Sequence, residues 1–379
     1  MTRILLIALL TWSVAWLAAA DPVRVERVPE GGIQPQIAIA EDGTIHAVWF
    51  SGSAAAGNLL YARRAAAADT FSPAIRVNSQ DGSAIAMGTI RGAQLAIGKA
   101  GSVHVLWNGT GTAVPKGPDG GPGMLYSRLT DAGSAFEPQR QLIQKAGGID
   151  GGGSLVADGS GRVWALWHAM GSAKDESGRA VYVAASTDDG ATFAAEQPAT
   201  TIPTGACGCC GMRAGIDGQG RLYVLYRGAT TKGQRDEILL TRGKDQKTFT
   251  GQVIDPWDAM TCPMSISAMG AAGERMVLGW ETKGRITFTL GKAGKPGPAM
   301  TVAAAAAGSK HPTIAVNAAG EFVIAWSEGT GWNKGGVIAW QRFDAQGKAI
   351  GQAGRADGLP AWGLPSAVAK PDGTFLILY

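Results

Sequence analysis

The chain has 379 residues, 17% of them charged, with 56 glycines, four cysteines and a formal net charge of +4. So mild a charge argues against nucleic acid or an anionic membrane surface as a partner. Abundant glycine with sparse charge suits short strands joined by many tight turns.

Residues 1–20 read as a secretory signal. Arg3 supplies the positive end, Ile4 to Leu17 the apolar stretch, and Leu17-Ala18-Ala19-Ala20 a small-residue cleavage site before Asp21. The apolar run is short for a bilayer span, Thr11 and Ser13 interrupt it, and no later segment is long and apolar enough to span. Cleavage removes one charged residue, Arg3, and takes the net charge from +4 to +3. The expected mature chain, 21–379, is a single exported domain without a transmembrane segment. Periplasmic or secreted, it meets an oxidising compartment where cysteines pair.

A unit then repeats: an apolar strand, a turn ending in glycine, and a second strand ending in an aromatic. Its copies run Pro35 to Trp49, Gln94 to Trp107, Ser154 to Trp167, Arg213 to Tyr226, Ser265 to Trp280, Thr313 to Trp326 and Ser366 to Tyr379. Their turn glycines are Gly43, Gly101, Gly161, Gly220, Gly273, Gly320 and Gly373; the aromatic follows by six residues in every copy except the fifth, which has one more. Glycine between two alternating apolar runs marks a hairpin. Third and fourth strands follow most copies, as in Leu59–Arg63 and Ala74–Val77. Four antiparallel strands per unit of roughly 45–60 residues is a propeller pattern, and ring closure removes exposed strand edges. The expectation is an all-β, seven-bladed β-propeller. Val23–Val28 matches the fourth-strand type and joins the C-terminal strands to close the last blade; six blades with one hairpin outside the ring is the alternative.

In the third unit, Ser186-Thr187-Asp188-Asp189-Gly190-Ala191-Thr192-Phe193 resembles the Asp box of sialidase-type (BNR-repeat) propellers. Asp131, Gly133 and Phe136 hold a degraded copy in the second. The resemblance implies that Ser186, Asp188, Gly190, Thr192 and Phe193 form a structural turn away from the working face.

In such a ring, the loop entering each first strand and the loop leaving each second strand share one face, around the channel mouth. That rule collects Arg91, Arg213 and His311 from entering loops, with Gln34 and Leu364. It collects His168, Arg227, Arg235, Asp236 and Glu281 from leaving loops, with Asn108, Glu328 and Trp332. A rim of arginines, carboxylates and two histidines suits a polar or anionic small molecule, glycan or peptide. His46 and His104 share a column with Trp164, Tyr223 and Val277 and read as packing residues.

All four cysteines lie on that face, in Cys207-Gly208-Cys209-Cys210 and Cys262-Pro263, which enter adjacent blades. A Cys209–Cys210 bridge joins neighbours whose Cα atoms are ~3.8 Å apart, shorter than disulfides favour. Cys262 therefore pairs with Cys209 or Cys210, the remaining one pairs with Cys207, and the inter-blade bridge contributes ~2–4 kcal/mol. The rival is a soft metal site, with Met212, Met260 and Met264 beside the thiolates. It suits copper(I) above magnesium or calcium; zinc and redox-active thiols stay open.

Cys-x-Cys-Cys, Tyr226-Arg227, Arg235-Asp236, Trp257 and Cys262-Pro263 together resemble a subset of exported bacterial proteins of sialidase-like type. True sialidases use an arginine triad, a tyrosine nucleophile with a glutamate, and an aspartate acid/base. The Arg-Ile-Pro type motif of their first arginine is missing, and Tyr223 and Tyr226 sit in strand columns. The expected function is therefore ligand binding without sialidase activity. Copper handling is the first alternative, and glycoside hydrolysis, with Arg91, Arg213 and Arg227 or Arg235 standing in for the triad, the second.

Overall fold

A computed structural model describes residues 22–88, 92–171 and 173–379. The proposed signal at 1–20 and Arg91 lie outside the described residues. Seven separate sheets stand in a ring, and no α-helix occurs among the described residues. Blade one, Ile33–Ile39, Ile45–Ser53, Ala56–Arg64 and Ile75–Arg76, is a four-stranded meander. The innermost strand of each blade touches that of the next, and the seventh touches the first, so the ring closes on itself. Seven blades replace the six-bladed alternative.

The seven turn glycines have φ between 60° and 90°, the left-handed region that glycine enters without cost. The recurring aromatic explains blade stacking. Trp107 packs against Val48 and Phe50 of blade one, Trp167 against Leu106 of blade two, and Tyr226 against Leu166 of blade three. Trp326 reaches back to Val277 of blade five, and Trp49 meets Val368 and Leu376 of blade seven. Each ring thus fills the gap to the preceding blade, where one large aromatic excludes water from two sheets at once.

Blade seven departs in detail from expectation. Val23–Glu26 pairs directly with Phe375–Leu378, in parallel, in the place of a third strand. It keeps the direction of a fourth strand, because it must lead into blade one; beside the second strand that direction makes a parallel ladder. The sheet has three strands among the described residues. Val23 and, just past the strand, Val28 are 5% and 4% exposed, and Arg64 donates to Glu26 at 2.8 Å, so the segment is anchored by burial as well as by pairing. Deleting residues 22–28 is expected to remove at least about 3–6 kcal/mol, at about 1.5–3 kcal/mol for each of the two valines. Thermal melts read this; an unchanged midpoint would rule out closure by this strand.

The Ser186–Phe193 turn spends its carboxylate on itself. Asp188 accepts from Ser186 Oγ at 2.7 Å, Thr192 N at 2.9 Å and Thr192 Oγ1 at 2.6 Å. Those bonds, the Thr192 hydroxyl first, hold it at about 2. Phe193 packs edge-on against Tyr126 of blade two, centroids 5.0 Å apart. His46 and His104 are likewise internal, each joined through Nδ1 to a tyrosine hydroxyl, Tyr61 and Tyr126, at 2.7 Å.

Candidate functional site

The loops entering blades four and five meet, as chain-order adjacency in a ring requires. Cys209 and Cys262 form a disulfide across them. The expected second bridge is not formed. Cys207 and Cys210 are buried thiols with sulfurs 3.0 Å apart, beyond the ~2.05 Å of a bond but within contact. The hydrogen bond with Cys210 draws Cys207 below the ordinary thiol range, while burial pushes Cys210 well above it. The sulfurs of Cys207, Cys209 and Cys210 lie within 4.8 Å of one another, a set able to hold a metal ion. Of the thioethers, Met212 is buried in the core shared by blades three and four, Met264 lines a cleft near blades six and seven, and Met260 is 70% exposed.

Three blades clamp this loop. His168 of blade three donates from Nε2 to Cys210 O at 3.1 Å, and burial lowers it to about 4, so it is neutral. Gly208 N donates to Glu176 at 2.9 Å, Cys207 N to Arg227 O at 2.9 Å, and Gly211 N to Ser265 O at 3.0 Å.

The arginines divide by partner. Arg227, 4% exposed, pairs with fully buried Glu237 at 3.1 Å and lies over the Trp257 ring at 5.2 Å. Arg235 pairs with Glu176 at 3.0 Å. Asp236 accepts from Trp257 N at 2.8 Å, and Glu281 from Gly284 N at 2.6 Å, so both hold loops. Arg213 differs: at the head of an innermost strand, it donates to Gln94 Oε1 at 2.6 Å and Gln36 Oε1 at 3.2 Å. Burial lowers its guanidinium to about 10. Arg227 and Arg235 are thus each held by a carboxylate, whereas Arg213 is held by two glutamine side chains.

His311, Trp332 and Leu364 of the rim lie in a cleft of about 160 Å³ near blades six and seven, lined also by Met264, Lys310, Lys334 and Trp362 among others. Trp332 is 65% exposed and meets Trp362 edge to face, centroids 4.8 Å apart. None of the eleven lining residues is acidic. His311 is 6% exposed, its Nδ1 has no hydrogen-bond partner, and burial holds it near 3, hence neutral. Met264, His311 and Trp362 line the cleft with φ of 50°, 56° and 63°, and Asn333 beside it has 49°. Sequence reasoning placed His311, Trp332 and Leu364 here but missed Trp362, Lys310 and Lys334. Trp362 lies two residues before Leu364 in the same entering loop, so the adjacency rule already contained it.

No protein-family model and no curated protein matches the chain. Solved structures do. Penicillium chrysogenum α-L-arabinanase complexed with arabinobiose aligns with TM-score 0.55 at 14% identity, over 85% of this chain and 95% of that one. The leech intramolecular trans-sialidase complexed with 2,7-anhydro-Neu5Ac aligns at 0.52 and 8%, over 92% and 86%. A Dyadobacter fermentans protein of unknown function aligns at 0.51 and 13%, over 80% and 93%. The chain therefore has a sialidase-like, seven-bladed β-propeller fold. At such identities the likeness is one of fold, and function must be argued from the site.

Proposed function

We propose that the protein is exported and binds an anionic saccharide on its channel-mouth face, without hydrolysing sialosides. The observation that carries this is the cleft where Trp332 and Trp362 stand beside Lys310 and Lys334 with no acidic residue in the wall. Aromatic faces take up the C–H faces of sugar rings, and ammonium groups favour a sugar carboxylate. The arabinobiose and 2,7-anhydro-Neu5Ac named with the structural neighbours are saccharides too. The carboxylate partners of Arg227 and Arg235 speak against a sialidase triad. Export rests on residues 1–20, and a disulfide accords with it. No helix among the described residues is long and apolar enough to cross a membrane.

Calorimetric titration with neutral, uronate-containing and sialylated oligosaccharides tests the reading. An acidic oligosaccharide is expected to bind best, and Trp332→Ala to weaken it about 30-fold or more, as for a central aromatic worth about 2 kcal/mol. No binding across the panel, or unaltered binding by Trp332→Ala, sinks the proposal; binding of an acidic peptide alone would replace the saccharide. Mass spectrometry of exported protein is expected to show a chain beginning at Asp21, and an uncleaved chain would refute export by this signal.

A second reading, copper handling, is favoured by the three clustered sulfurs of Cys207, Cys209 and Cys210. Thiolates prefer copper(I) to hard cations. Protein loaded with copper(I) under reducing conditions should then hold it in stoichiometric amount and lose it in Cys209→Ser; equal copper in the variant rejects this reading.

A further inference from the structure

All four cysteine sulfurs, those of the disulfide included, occupy one small volume. Cys207 Sγ lies 3.0 Å from Cys210, 3.5 Å from Cys209 and 3.9 Å from Cys262, and Cys209 lies 4.0 Å from Cys210. Four thiolates at the ~2.3 Å zinc–sulfur distance in a tetrahedron stand about 3.8 Å apart. Four of the six separations bracket that spacing; the other two involve Cys262, which is bonded to Cys209 and lies outside the group of sulfurs within 4.8 Å of one another, so it must swing off Cys209 to complete the tetrahedron. We propose that Cys207, Cys209, Cys210 and Cys262 form a four-thiolate site for one soft d10 cation, kept shut by the Cys209–Cys262 disulfide. The inference shares three ligands with the metal reading above and rests on it to that extent. It adds the fourth ligand and makes occupancy depend on reduction.

The loops would keep their places without the bridge. Gly211 and Ile266 form a parallel bridge between the two strands of chain, with Gly211 N donating to Ser265 O at 3.0 Å and Ser267 N to Gly211 O at 3.1 Å. His168 fixes the carbonyl of Cys210 from the other side. Gly208 is closely surrounded: a Cβ there would come within 2.9 Å of Glu176 Oε1 and 3.1 Å of Asp150 Oδ2, so those side chains would have to give way. Burial gives the site an inside and an outside: Cys207 and Cys210 are buried, Cys209 is half-buried and Cys262 is exposed. Reductant and ion both arrive at the Cys262 side. Three buried or nearly buried sulfurs then close around the ion, as in structural rather than catalytic metal sites. A donor set made of sulfur alone selects thiophilic ions, with zinc(II) and copper(I) first among them.

Opening is a two-electron step. A dithiol attacks the Cys209–Cys262 bond, both cysteines leave as thiols with two protons taken up, and the dithiol becomes a disulfide. Zinc(II) then displaces four protons from four thiols to give a tetrathiolate of charge −2.

The test uses the wild-type chain, either oxidised or reduced with dithiothreitol and freed of it anaerobically, titrated with zinc(II) or copper(I) in separate arms. Native mass spectrometry counts ions per chain, and alkylation counts reactive thiols. In at least one arm the reduced chain is expected to bind a single ion that protects every cysteine, and the oxidised chain to bind none. Cys262→Ser is expected to weaken binding at least about tenfold. Equal binding by oxidised and reduced chains, or undiminished affinity in Cys262→Ser, overturns the gated four-thiolate site while leaving the three-cysteine reading in place. No ion in either arm overturns both. The oxidised-against-reduced comparison needs no variant, so misfolding of Cys262→Ser does not decide the matter.

Discussion

Arg227→Met is expected to destabilise the protein by about 3–5 kcal/mol at pH 7.5, because it strands a buried carboxylate. Glu237 is fully buried, and among the described residues its charge is met by Arg227 at 3.1 Å and the hydroxyl of Ser267 at 2.5 Å. Burial pushes its carboxyl up from the ordinary 4.5, and Arg227 pulls it back. Without the arginine only the Ser267 hydroxyl opposes the upward push. A raised folded-state value means that stability is full below the unfolded value and lost as pH rises, so the variant's deficit against wild type should shrink toward pH 4.5. Urea titrations of both proteins at pH 7.5 and 5 measure this, and a deficit under about 1 kcal/mol at pH 7.5 would reduce the pair to surface-bridge strength. Arg227→Met with Glu237→Leu should recover most of the loss, since an apolar pair of similar volume carries no stranded charge. The same arginine also donates from Nη1 to Arg235 O at 2.8 Å and from Nη2 to Glu281 O of blade five.

Acidification from pH 7.5 to 5 is expected to cost the wild-type chain several kcal/mol. The protein has four histidines, and all are buried. Desolvation lowers His46, His104 and His168 from the ordinary 6.5 to about 4, and His311 to about 3. A depressed folded-state value means stability present above 6.5 and lost as pH falls toward 4, because the unfolded chain binds protons that the folded chain refuses. Each histidine contributes a slope of up to about 1.4 kcal/mol per pH unit in that window. Glu237 opposes this with one carboxyl. His104→Gln should flatten the curve by one histidine's share. A urea midpoint that stays constant between pH 7.5 and 5 would show that these rings already carry protons or lie open to water.

Much of the ring was legible because its signal is local. Seven glycine-to-aromatic spacings in phase name seven hairpins, and a closed ring places consecutive blades side by side. From that alone Cys262 had to face the Cys207–Cys210 loop, and His46 and His104 had to be internal. The rim residues could be collected but not sorted, because sorting depends on partners far away in the chain. Among the described residues Arg227 finds Glu237, Arg235 finds Glu176, and Arg213 finds Gln36 and Gln94, which lie 177 and 119 residues away.

The sequence by itself determined the strand–turn–strand unit, the number of units and the face on which the cysteines meet, since side-chain period, positive-φ glycine and chain-order adjacency are properties of short stretches. Tertiary structure alone decided which cysteine bonds Cys262 and that Cys207 and Cys210 remain thiols. It also decided where the first strand docks, and that Trp332 and Trp362 stand together with two lysines. Those outcomes turn on loop paths and contacts of a few ångströms between distant segments, which no local pattern encodes.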